Sequence, residues 1–138
     1  MKTVPNTREE VAQVLRDHHI TPTSQRIEIA HALYSRGEHL SADRILAIVN
    51  DRACEASKAT VYNTLNLFVE KKLVREVIVD PHRVFYDPNT SAHHHLYNLD
   101  TGELTDIDES TFNISGMPQL PLGATVEGVD VVVRIRSH

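Results

Sequence analysis

The chain of 138 residues contains a single cysteine, Cys54. One thiol cannot close an internal disulfide, which suits a reducing compartment, and it cannot build a cysteine-based zinc clip within one chain. No apolar run approaches the roughly 18 residues needed to cross a bilayer. The opening stretch from Met1 to Arg8 lacks the apolar core and small-residue cleavage site of a secretory signal, so a cytoplasmic location without membrane contact is expected. Internal repeats and low-complexity tracts are absent, as are H-E-x-x-H, a nucleophile elbow and a phosphate loop. An enzyme is therefore not expected.

An excess of positive charge is also missing. The net charge is -5, which is unpromising for a partner made of phosphates until its distribution is considered. Residues 1–88 carry 12 Lys+Arg and 12 Asp+Glu, whereas residues 89–138 carry 2 and 7. The first part can meet phosphates with locally placed cations. The second is better suited to holding a cation.

What is present is ordinary globular material, 41% hydrophobic and 24% charged, enough for one domain or two small ones. Thr7 caps a first helix with Glu9 and Glu10 in its opening turn and Val11, Val14 and Leu15 on one stripe, ending near His18 and His19. After the break at Thr21-Pro22-Thr23, Ile27, Ala30, Leu33 and Tyr34 mark a second helix over about 23–35. Ser41 caps a third, with Ala42, Ile45, Ile48 and Val49 inside, ending near Asp51. Ser57 opens a fourth, in which Val61, Leu65 and Phe68 face inward and Lys58, Thr60, Tyr62, Asn63 and Asn66 stay outside.

Beyond Lys71-Lys72 the residues become β-branched. Leu73 to Val79, a turn at Asp80-Pro81-His82, and Arg83 to Tyr86 predict a hairpin. Asp87 to Ser91 reads as a linker, giving domains over 1–87 and 88–138. A second hairpin is expected from Leu96–Leu99 and Glu103–Ile107 around Asp100-Thr101-Gly102, and a closing strand over 129–135. The Pro/Gly-rich stretch from Gly116 to Gly123 cannot be a long helix.

Helices followed by a two-stranded wing are the layout of a winged helix-turn-helix, whose last helix enters the major groove of double-stranded DNA. Lys58 and Thr60 can meet phosphates there, while Tyr62, Asn63 and Asn66 project groups able to address base edges or thymine methyls. An amphipathic helix in a protein-interaction domain would show the same inward periodicity, but the wing favours DNA.

Pro22-Thr23-Ser24-Gln25-Arg26, His39-Leu40-Ser41-Ala42, Ala59-Thr60-Val61-Tyr62-Asn63-Thr64-Leu65, and His93-His94-His95 with Gly102 and Asp106 downstream resemble the ferric uptake regulator family. The resemblance runs from about Arg8 to Arg136. It implies an α+β protein: an N-terminal winged helix-turn-helix followed by a small α/β dimerisation domain, forming a homodimer that represses transcription from a palindromic operator. Thr21 departs from the basic residue that many relatives carry there.

In the second part, His93 and His95 share one face of a strand by period two, with His94 on the other. Asp106 follows on the paired strand, Asp87 lies in the linker, and His39 precedes the third helix. Five nitrogen and oxygen donors suit iron(II), manganese(II) or zinc(II) and disfavour copper(I). The resemblance selects the same five, His39, Asp87, His93, His95 and Asp106, as a regulatory metal site at the domain hinge. Individually, His39 could be a surface or capping side chain, and Asp87-Pro88 is a common turn pair. The interior triplet of histidines is the stronger signal, because short histidine tracts usually bind metal. His18, His19, His31 and His82 read as exposed or packing residues.

Most relatives hold a structural zinc through two C-x-x-C pairs, and here Asn98 to Thr101 stands in the place of the first. No such zinc is expected. The cysteine-free second half, the triple histidine and the closing strand are most similar to the Irr branch, the iron-response regulators tied to haem, which implies His93, His94 and His95 as a haem-binding stretch. Cys54 is followed by Glu55, so a Cys-Pro haem motif is absent and Cys54 reads as a packed helix-end residue. Asp106, where others carry glutamate, is similar instead to the peroxide sensors, in which bound iron and peroxide oxidise a histidine at the His39 or His93 position. Ala92 and Asn113 replace ligands of the family's second site, which is expected to be weak or absent. A metal-dependent hydrolase would use the same donors with one position open to water, and a cofactor-free binding module would not respond to metal removal.

Overall fold

The computed structural model describes residues 4–36, 39–52, 55–91, 93–126 and 128–137. The expectations for Cys54 and Ala92 lie outside the described residues. The chain forms two compact units, residues 1–90 and 91–138. The division falls after Thr90, three residues beyond the boundary expected after Asp87, and Asp87 itself ends a strand instead of opening a linker.

Four helices build most of the first unit: α1 (Arg8–Asp17), α2 (Ser24–Arg36), α3 (Ala42–Asp51) and α4 (Lys58–Glu70). Their starts follow from side-chain caps that satisfy amides the helix itself leaves open. The hydroxyls of Thr7, Ser41 and Ser57 accept the N–H groups of Glu10, Arg44 and Thr60. Thr23 does the same for α2, accepting from the Arg26 N–H at 3.3 Å. The apolar stripes converge on one core that contains Val11, Leu15, Ile29, Leu33, Ile45, Val49, Val61, Leu65 and Phe68. Each large side chain buried there stabilises the fold by about 1.5–3 kcal/mol.

Leu73 and Val74 are not strand residues. At the end of α4, Lys72 takes a positive φ of 63° and the Leu73 N–H returns to the Phe68 carbonyl at 2.9 Å, closing the helix with a left-handed cap. This turn drives Leu73 and Val74 into the core, so their hydrophobicity reflects capping rather than strand pairing. The hairpin follows as β1 (Arg75–Asp80) and β2 (Arg83–Asp87), antiparallel with Val77 opposite Phe85. Its turn is held by the Asp80 carboxylate, which accepts the His82 N–H at 2.7 Å. Val77 and Val79 are buried while Ile78 between them is 60% exposed, so only one face of the wing packs inward.

The second unit is a three-stranded sheet of β3 (His93–Asn98), β4 (Leu104–Asp108) and β5 (Val132–Ile135), in the order β4-β3-β5. β4 runs antiparallel and β5 parallel to β3. Its helical content among the described residues is one 3-10 turn at Glu109–Thr111, and residues 112–126 are otherwise irregular. The turn between β3 and β4 is built as its residues suggest. Asn98 Oδ1 accepts the N–H groups of Asp100 and Thr101, and Gly102 adopts φ 77°, a conformation that glycine takes without strain. β5 is shorter than the apolar run that marks it and begins at Val132. Just before it, the Val131 N–H turns to a histidine ring instead of to a strand partner. No helix among the described residues is long and apolar enough to cross a membrane.

Candidate metal centre and nucleic-acid interface

In the first unit, Leu40 and Tyr86 form an isolated bridge between the loop before α3 and β2. Their chain neighbours His39 and Asp87 are thereby set side by side, with His39 Nε2 3.0 Å from Asp87 Oδ2. Both side chains are almost fully shielded from water, 8% and 6% exposed, so the carboxylate must be paired to be tolerated. Its other oxygen accepts the Asn89 N–H at 2.9 Å, which fixes its rotation and leaves Oδ2 facing the imidazole.

In the second unit, His93 and His95 project from the same face of β3, their rings edge to face with centroids 4.5 Å apart. Asp106 lies directly opposite His95 in the register of β4. Its Oδ1 is 3.4 Å from His93 Nε2 and 3.5 Å from His95 Nε2. His93 Nδ1 meets the Ser91 carbonyl at 2.6 Å, and a carbonyl only accepts, so that nitrogen carries the hydrogen. Its Nε2 is then the nitrogen turned toward the carboxylate. Two imidazole nitrogens and a carboxylate oxygen converging at this range fit a shared cation, with Ser91 orienting the His93 ring as a backbone carbonyl commonly does behind a metal-bound histidine.

Asp108, opposite His93 in the same register, is engaged elsewhere. It accepts from both the N–H and the hydroxyl of Ser110, at 2.8 and 2.7 Å, and these bonds hold its carboxyl below the usual carboxylate range. His94 points to the opposite face, where its ring meets Phe112 edge-on at 5.5 Å and its Nδ1 accepts the Val131 N–H at 3.2 Å. The three histidines of the tract therefore divide two and one. A haem contact using all three is not assembled by this strand, because neighbouring side chains of a β-strand point to opposite faces.

Helix α4 presents Lys58, Tyr62, Asn63 and Asn66 to solvent, with Val61, Thr64, Leu65 and Phe68 buried behind them. Lys58 Nζ lies 3.7 Å from Asp43 on α3 and 5.8 Å from the centroid of the Tyr62 ring. Thr60 is half-buried and its hydroxyl is shared with Ser57 Oγ at 2.9 Å, so its first role is in the helix cap. Two residues without an assigned role in the sequence, Gln25 and Asn50, hydrogen-bond to the segment leading into α4. Gln25 lies within a motif already singled out, whereas nothing local marks Asn50.

Four helices and a wing, followed by a sheet that carries a His-His-Asp donor group, define a winged-helix protein with an appended metal-binding sheet. The family model described as "Ferric uptake regulator family" matches residues 17–116. The peroxide-responsive repressor PerR of Staphylococcus epidermidis is 28% identical over 106 residues, 77% of this chain and 71% of the relative. The fold is similar to that of the Vibrio cholerae ferric uptake regulator, with a TM-score of 0.71, 21% identity and coverage of 91% of this chain and 98% of the other. It is also similar to the ferric uptake regulator from Pseudomonas aeruginosa solved with manganese, with a TM-score of 0.69, 20% identity and coverage of 91% and 96%. The chain belongs to the ferric uptake regulator family, whose members are transcription regulators.

Proposed function

We propose that this protein is a metal-dependent repressor that binds a palindromic operator as a homodimer and regulates iron and haem homeostasis in the manner of the Irr branch. The observation that carries the reading is the convergence of His93, His95 and Asp106 on one face of the sheet. His39 with Asp87 and His93 with His95 and Asp106 are donor sets of two and three. Divalent first-row ions usually take four to six ligands, so the proposed regulatory ion draws on all five residues. Iron(II) and manganese(II) suit this nitrogen and oxygen set, and zinc(II) is compatible with it. The ion supplies a positive charge that the two carboxylates and three imidazoles lower in energy together. An ion that needs donors from both units favours whichever arrangement of the two brings them together, and it can shift that equilibrium only by its differential affinity.

In this reading Tyr62, Asn63 and Asn66 address bases, while Lys58 and the N-terminus of α4 meet phosphates. Thr60 supports that N-terminus through the cap. The test is a gel-shift titration on a duplex selected by the protein from a random-sequence pool, run metal-free, with manganese(II), with iron(II) under nitrogen, with haemin, and with iron(II) followed by peroxide. Binding that requires metal and is lost with haemin supports the iron and haem reading. Indifference to every addition excludes a metal-dependent repressor.

A second reading, a peroxide sensor, is favoured by the peroxide-responsive relatives and by an aspartate at position 106. Oxidation of the His39 or His93 imidazole would remove a donor and weaken the hold on metal, so loss of binding in the peroxide lane alone selects this reading.

A further inference from the structure

In the motif Thr23 to Arg26, three side chains bond to backbone groups of the first unit. Arg26 Nη1 donates to the Thr21 carbonyl at 2.9 Å, and Thr23 caps α2. Gln25 reaches across to a different element: its Nε2 donates to the Glu55 carbonyl at 3.0 Å. From α3, Asn50 Oδ1 accepts the N–H of the next residue, Ala56, at 3.1 Å. Two side chains from two helices therefore take the two polar groups of a single peptide linkage, the Glu55 C=O and the Ala56 N–H. That linkage stands immediately before Ser57, the cap of α4, and Ala56 is itself buried in the core.

We infer that Gln25 and Asn50 are positioning residues for base reading by α4, clamping the Glu55–Ala56 peptide from α2 and α3 so that the start of the helix cannot pivot. The inference rests on the DNA-reading role proposed for α4. The clamp acts where leverage is greatest. Lys58, Tyr62 and Asn63 lie within two turns of the clamped peptide, and a base-edge contact requires donor and acceptor to be placed within a few tenths of an ångström. Phosphate contacts tolerate looser placement, because attraction to the backbone is long-ranged and independent of sequence. Loss of the clamp should therefore lower discrimination between sequences more than it lowers affinity for DNA in general.

The 138-residue protein with manganese(II) is titrated with the selected duplex and with a scrambled one, for wild type, Asn50→Ala, Gln25→Met and Asn50→Asp. Gln25→Met keeps the length of the side chain and removes the donor, and Asn50→Asp keeps the accepting oxygen. Asn50→Ala and Gln25→Met are expected to lower the ratio of selected to scrambled affinity about three- to tenfold each, the range of one net hydrogen bond, with both proteins folded at the titration temperature and the melt of Asn50→Ala lowered by several degrees because the Ala56 N–H is left unbonded. Hydrogen exchange at the Ala56 amide, read without DNA, should accelerate in Asn50→Ala, and Asn50→Asp should retain the wild-type ratio. An unchanged ratio in both substituted proteins, or parallel losses on both duplexes, overturns the clamp. The Tyr62→Phe, Asn63→Ala double variant is the control for the underlying reading. If it too binds like wild type, α4 does not read bases. If it loses discrimination while the Gln25 and Asn50 variants do not, only the clamp is wrong.

Discussion

Leu40 and Tyr86 exchange two backbone hydrogen bonds, 2.8 Å from the Tyr86 N–H and 3.3 Å from the Leu40 N–H, and so hold His39 against Asp87. A loop residue and a strand residue separated by 48 positions in the sequence become neighbours because each adjoins one half of the bridge. If these two residues are ligands, His39→Ala and Asp87→Ala should each weaken manganese(II) binding more than about tenfold, at least what loss of a supporting outer-shell group does elsewhere. Isothermal titration reads the change, and wild-type affinity in both variants would remove this pair from the site.

The histidine tract makes a sharper test, because the sheet divides it. His93→Ala and His95→Ala should abolish the metal response of operator binding while preserving the fold. His94→Ala should keep metal binding but destabilise the protein by about 1–3 kcal/mol, through the lost Phe112 contact and the unsatisfied Val131 N–H. Urea denaturation alongside metal titration separates the two. A His94→Ala protein that cannot bind metal would place that residue among the ligands.

Exposed side chains on α4 give a prediction specific to DNA. Tyr62→Phe together with Asn63→Ala should cost about 1–3 kcal/mol per lost base contact on the selected operator and little on scrambled DNA. Lys58→Ala should weaken both duplexes and reduce the salt dependence of binding by about one charge. Fluorescence anisotropy at several salt concentrations checks both.

Chelation should silence the response without unfolding the chain. A domain held by a cysteine-bound zinc unfolds when that metal is removed, but here the place of the first C-x-x-C pair is taken by a hydrogen-bonded turn. Asn98 Nδ2 donates to Ser137 Oγ at 2.9 Å and Asp100 accepts the Ser137 N–H at 2.7 Å, tying the turn after β3 to the segment after β5. Circular dichroism in excess EDTA should retain a cooperative melt, lowered only by the loss of ligand stabilisation. Unfolding on chelation at room temperature would show that metal is structural.

Alkaline pH should loosen the first unit through Tyr34, whose hydroxyl is pushed up to about 12 by burial on α2. The pKa is raised in the folded state, so the stabilisation it provides is complete below the ordinary tyrosine value of about 10 and is lost as pH rises toward 12. Tyr34→Phe should flatten that part of the profile in denaturation curves taken from pH 9 upward. An unchanged profile would mean that the hydroxyl reaches water.

Much of this architecture was legible locally. Thr7, Ser41 and Ser57 mark helix starts because a hydroxyl there satisfies an amide within three residues. Asp100-Thr101-Gly102 marks a turn because only a few residue types accept its backbone angles. The alternation of His93, His94 and His95 follows from the period of a strand. Non-local effects were not legible. Leu73 and Val74 carry the composition of a strand but are claimed by the cap of α4, and β5 starts late because the Val131 N–H is taken by His94.

What the sequence by itself determined is the set of helices, the turns and the donor types, since each depends on contacts within a few residues. The resemblance already singled out Asp106, but only the tertiary structure decided that Asp108 turns to Ser110, that His39 lies 3.0 Å from Asp87, and that Gln25 and Asn50 hold one peptide from two sides. Those outcomes depend on strand register and helix packing, which bring together groups far apart in the chain. No local pattern encodes the distance between them.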